Sequence, residues 1–157
     1  TVATLRVGYQ TNPLGDVVLV CGDGLTLTTI EMAGGVVSIQ DATTTINQYG
    51  GELTILDAAH TTISISGTGV CYYRSASTLT TGNVRSGGTL DLSRDMRART
   101  ITNLTLFAGA TFLDPFKTGT YTNGLILSGC KLPSQQGGSD EVRRLDLGVN
   151  RTVTLAA

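Results

Sequence analysis

The chain has 157 residues, enough for one domain with a real core, and its net charge of −1 at pH 7 provides no basic field for nucleic acid or an anionic membrane. Charged residues make up only 15% and apolar ones 40%, so the polar surface has to come from Thr, Ser, Asn, Gln and Gly. No stretch approaches the roughly 18 consecutive apolar residues of a membrane helix. No window carries a helical period with caps, so an all-β fold is predicted.

Taken in chain order, residues 1–24 read as an N-terminal cap segment. Thr1 to Val7 alternates like a strand, in contrast to a signal peptide. Val17 to Cys21 is a continuous apolar strand, and Gly22-Asp23-Gly24 is a tight turn into Leu25 to Ile30. Asp-Gly between two strands is also a hairpin signal, so the first coil reads either as a hairpin cap or as a solenoid rung.

Residues 25–157 read as a β-solenoid. Paired glycines followed by alternating apolar residues recur as Gly34-Gly35-Val36-Val37-Ser38-Ile39, Gly50-Gly51-Glu52-Leu53-Thr54-Ile55 and Gly87-Gly88-Thr89-Leu90-Asp91-Leu92, with a looser copy from Ala108 to Leu113. Thr-rich strand patterns precede them, as in Thr29 to Met32, Thr45 to Gln48 and Leu104 to Phe107. A repeated strand, glycine corner and strand is the sequence form of a solenoid. Ile, Leu and Val are expected inward and Thr, Ser, Asn and Asp outward. The glycine spacing is uneven, which requires corners of unequal length. Two inserts are predicted as loops, near 115–124 and 131–144. A β-sandwich or jelly roll is the alternative fold, because Asp23-Gly24 and Asn123-Gly124 also suit hairpin turns.

Side chains with chemistry are few. Cys21, Cys71 and Cys130 are odd in number and lack CxxC spacing, so they are expected as buried thiols, with one disulfide or an intersubunit bridge as the alternative. His60, three residues after Asp57, is expected as an exposed corner histidine; one histidine offers no zinc site. Asp57, Asp91 and Asp114 each follow a glycine corner, but at different offsets, and are expected as turn aspartates and not as the paired carboxylates of a glycosidase. Tyr72 and Tyr73 are adjacent and therefore face opposite sides of a strand. Arg94, Arg97 and Arg99 cluster with Asp95, and Arg143 and Arg144 form a second group. Such arginines suit either interface contacts or local Arg–Asp pairs.

Ser86 to Leu92 and Thr100 to Asp114 resemble coils of right-handed parallel β-helix proteins, a group that includes adhesins, pectate-lyase-like enzymes, phage tailspikes and capsid decoration proteins. The resemblance implies a non-enzymatic virion part: a capsid decoration (cement) protein or short fibre module, docking on a protein lattice as a homo-oligomer, with a trimer expected. Phe116, Tyr121, Arg94, Arg97, Arg99, Arg143 and Arg144 are its candidate interface residues. No cofactor, metal, nucleic acid or membrane partner is expected. The alternatives are a carbohydrate-binding or carbohydrate-cleaving β-helix and an extracellular adhesin fragment.

Overall fold

The computed structural model describes residues 2–9, 18–22, 24, 27–124 and the backbone of 125–127 and 152–156. The second insert near 131–144, with Arg143 and Arg144, and Cys130 just before it, lie outside the described residues.

Among the described residues fourteen strands follow in order: β1 (Val2–Val7), β2 (Val18–Cys21), β3 (Leu27–Met32), β4 (Val36–Ile39), β5 (Thr43–Gln48), β6 (Glu52–Ile55), β7 (His60–Ile65), β8 (Val70–Tyr73), β9 (Leu79–Val84), β10 (Thr89–Asp91), β11 (Arg99–Leu106), β12 (Thr111–Leu113), β13 (Gly119–Leu127) and β14 (Thr152–Ala156). They build two sheets, ordered β1-β3-β5-β7-β9-β11-β13-β14 and β12-β10-β8-β6-β4-β2. Every pairing is parallel. The chain therefore crosses from one sheet to the other and returns one rung further on, which is a parallel β-solenoid. No helix occurs among the described residues.

Parallel pairing removes the hairpins that a sandwich would need. β1 lies on β3 and β2 on β4, so the N-terminal segment forms a rung of the solenoid; a hairpin at Asp23-Gly24 would have made β2 and β3 antiparallel neighbours. Asn123-Gly124 is likewise no turn. Both residues sit within β13, Asn123 level with Asn103 and Gly124 with Leu104. The first predicted insert thus shrinks to the turn 114–118, and 119–124 is strand.

The core is stacked in columns. Ile30, Ile46, Ile63, Gly82 and Leu104 stand level along the eight-stranded sheet. Val37, Leu53, Cys71, Leu90 and Phe112 do so along the other. All of these apolar side chains are buried, each contributing on the order of 1.5–3 kcal/mol. Cys21 and Cys71 are buried free thiols in this packing. Tyr73 points inward and Tyr72 outward, as their adjacency requires.

The two corners of each coil differ. The glycine corners, 33–35, 49–51, 66–69, 85–88 and 107–110, keep nearly constant length. Gly35, Gly51, Gly67, Gly87 and Gly109 all have positive φ there, a conformation open to glycine at little cost. The opposite corner varies: its turns are 40–42, 56–59, 74–78, 92–98 and 114–118. Between β3 and β13 most of the unevenness of the repeat is stored on that one side.

Candidate functional site

The variable corner collects most of the expected interface residues. Its longest turn is 92–98, and a network of arginines holds it. Arg97 pairs with Asp95 at 2.5 Å and with Asp57, two coils back, at 2.8 Å, and it also donates to the Arg74 carbonyl. The Arg97 donors hold the Asp95 carboxyl down to about 2, and the Asp95 and Asp57 carboxylates raise the Arg97 guanidinium further above its ordinary range. Arg94 lies over the Tyr72 ring, its guanidinium carbon 3.3 Å from the centroid. The cation thereby covers an outward aromatic face.

Arg99 and Tyr121 depart from expectation. Both are buried, so neither side chain is presented to a partner surface. Arg99 enters beneath the turn and donates to the carbonyls of Tyr73, Asp95 and Arg97. Tyr121 packs edge-on against Phe112 and donates to Asp114 at 2.6 Å. Asp114 also accepts from the Thr118 and Gly119 amides and closes the 114–118 turn. Phe116, at the tip of that turn, is 51% exposed. Met96, at 73%, is exposed on the neighbouring turn and was not singled out in the sequence. What the corner presents is Arg94, Met96, Arg97 and Phe116, with Arg99 and Asp114 holding the two turns.

The three aspartates are not brought together. Asp57 and Asp114 sit on variable turns with 74–78 and 92–98 between them, whereas Asp91 belongs to the outer face of β10 and accepts from the Ser93 amide. Each carboxylate is engaged in holding its own turn or its own arginine. Among the described residues no group of three His, Cys, Asp or Glu side chains is placed to hold a metal ion.

His60 overturns the expectation of an exposed ring. It opens β7 from inside the solenoid, 2% exposed, with its ring 6.4 Å from that of Tyr73 in an edge-on arrangement. Neither ring nitrogen reaches a hydrogen-bond partner. Burial lowers its pKa to about 4, opposed in part by the Thr43 backbone, which lies near the ring but outside hydrogen-bond geometry. The misreading has a local cause. In β3, β5, β7 and β9 the second and third residues both face outward, so strict alternation breaks at the bend and the first residue turns in.

That bend also builds a second surface. Thr29, Thr45, Thr62, Thr81, Asn103 and Asn123 stand level on the outside of the eight-stranded sheet, beside the column Asn47, Ser64, Asn83 and Thr105. Successive members lie about 4.8 Å apart, the strand spacing. The polar groups partly satisfy one another: Asn123 donates to the Asn103 side-chain oxygen at 2.8 Å, and Asn103 to the Thr80 carbonyl at 3.2 Å.

Comparison with known proteins finds no matching family model, no matching curated protein and no matching solved structure.

Proposed function

We propose that this solenoid is a non-enzymatic structural module that works by assembly, and that its natural setting is a virion, as a capsid decoration protein or short fibre segment docking on a protein lattice. The observation that carries the reading is the first rung. β1 and β2 end their respective sheets, and on β2 the outward side chains of Val18 and Val20 are 69% and 72% exposed. Among the described residues no strand pairs with the outer edge of β2, and a β-branched, uncharged edge strand is a template for pairing with another chain. Natural edges usually carry a Lys, a Pro or a bulge, and the Val-Leu-Val-Cys run of β2 carries none of these.

In this reading the edge joins identical subunits, a trimer being the expected state, and the variable corner faces the lattice with Met96 and Phe116 as apolar anchors and Arg94 beside them. Exposed Met, aromatic and Arg side chains are the types enriched where interfaces bury their centres. The test is mass in solution, alone and mixed with candidate particles. The expected result is a defined multiple of the 16.4 kDa chain, together with co-sedimentation on a capsid-like shell. A monomer at all concentrations with no affinity for any particle would overturn the proposal.

A second reading rests on the Thr and Asn columns, an outer face of hydroxyl and amide groups suited to hydroxyl-rich glycans, with the Arg6–Glu31 pair at the head of the Asn47 column. Binding or cleavage of a polysaccharide on a glycan array would favour that reading over assembly.

A further inference from the structure

His60 lies in a column where stacking favours apolar residues: Leu27, Thr43 and Leu79 are its neighbours along the sheet. A neutral imidazole has one donor and one acceptor, and here both are enclosed and unpaired. The surroundings provide no counter-charge for a protonated ring. From β5 come the inward Thr43, Ile46 and Gln48, and from β9 Leu79, Gly82 and Val84. From the opposite sheet come Ile55 on β6, and Cys71 and Tyr73 on β8.

Burial pushes the Tyr73 hydroxyl up to about 12 and the Cys71 thiol higher still, so both stay neutral. Of the fixed charges on that side, Arg99 is a cation that donates to the Tyr73 carbonyl, and Asp91, whose charge helps raise the Cys71 thiol, accepts from the Ser93 amide. The acidic groups of the adjoining turns are held elsewhere. Asp41 accepts from the Gly24 amide, and Asp57 and Asp95 bind Arg97. Arg74 is exposed on its own turn.

We propose that His60 is an acid-operated latch: in mild acid its ring takes up a proton by leaving the core, and in leaving it opens the 56–59 turn and the first residues of β7. The opening is local because the other end of the same coil is independently held. There, Ser66, Thr68 and Val70 amides bond to the Gln48, Tyr49 and Gly51 carbonyls of the previous coil. In a solenoid each coil contacts chiefly its neighbours, so one corner opens without the whole molecule unfolding. The 56–59 turn carries Asp57, the partner of Arg97, so acid also loosens the long 92–98 turn. The latch does not depend on what the protein docks against.

The test is a pH titration of the intact chain from 7.5 to 4.5, following the His60 ring by NMR and the backbone amides by hydrogen exchange corrected for intrinsic rate. The ring is expected to stay neutral until well below pH 6. Exchange at residues 57–62 is expected to accelerate roughly 70-fold across that span, as a shift from 6.5 to about 4 requires, while residues 66–70 stay protected. His60→Leu, which matches its column neighbours, is expected to abolish the acceleration. A ring that titrates near 6.5 in the folded protein would overturn the latch, as would acceleration spread evenly over the chain, or acceleration that survives in His60→Leu. Should that variant fail to fold, the native ring titration and exchange profile decide alone.

Discussion

At Gly87 a Cβ would strike the carbonyl of Gly67 on the previous coil, and φ is +77°. Gly82, by contrast, faces the core with Leu79, Ile101 and Leu104 at ordinary van der Waals distance from the same hypothetical atom. The two glycines therefore have opposite expected responses. Gly87→Ala should destabilise by at least about 2 kcal/mol, through left-handed strain plus backbone contact. Gly82→Ala should be neutral or stabilising by up to about 1 kcal/mol, because a strand interior gains from losing glycine's entropy cost. Denaturant midpoints of the two variants check both.

His60 sets the acid limit of the fold. Its folded pKa of about 4 lies below the ordinary 6.5, so the unfolded chain takes up the proton first. Stability is full above about pH 7, falls as pH drops through 6.5 and levels off below about 4, a total loss of about 3 kcal/mol. Asp95 acts in a lower window. Its carboxyl is depressed from 3.8 to about 2, so its contribution is present above 3.8 and disappears as pH falls through about 2. Acid denaturation of the native chain and of His60→Leu should differ between pH 6.5 and 4 and run parallel below that range.

At the scale of the element, the turn 92–98 is a loop built around a buried cation. Arg99 supplies donors to three backbone carbonyls from inside, whereas Arg97 bridges two carboxylates at the surface. The two arginines look alike in sequence and differ in consequence. Arg99→Ala leaves buried carbonyls unpaired and should cost about 3 kcal/mol, and Arg99→Lys should not restore it, since a single ammonium cannot reproduce the planar fork. Arg97→Ala should shift the thermal midpoint far less, because solvent screens an exposed pair. Thermal unfolding of the three variants separates these expectations. The glycine corners were legible because paired glycines before an alternating run mark them directly. The variable corner was not, because the polar turn residues of 92–98 and 114–118 do not reveal which of two arginines enters the core.

For the whole molecule, assembly through the first rung predicts that Val20→Lys, which places a charge on the exposed edge of β2, lowers the solution mass without lowering the melting temperature. Sedimentation and calorimetry on one sample measure both. A fall in stability with unchanged mass would instead assign Val20 to the fold itself. The buried thiols provide a check on the stacking. Cys21 and Cys71 should resist thiol reagents in the native state and react only with unfolding, since each sits inside a wall and burial raises both above the ordinary thiol range.

Strand content, the glycine corners, the inward Ile and Leu columns and the parallel solenoid follow from local pattern, because alternation and positive-φ positions are properties of a few adjacent residues. Which residues stand level across coils is not local. It depends on the summed lengths of corners that vary, and on a bend at which two neighbours face outward together. One residue of slip sends a side chain to the other face of the sheet. That is why His60, Arg99 and Tyr121 were expected outside and are found inside, and why Asn123-Gly124, a turn by composition, is a strand by pairing. The periodicity was written in the chain, but the register, and with it every buried polar group, was decided by stacking.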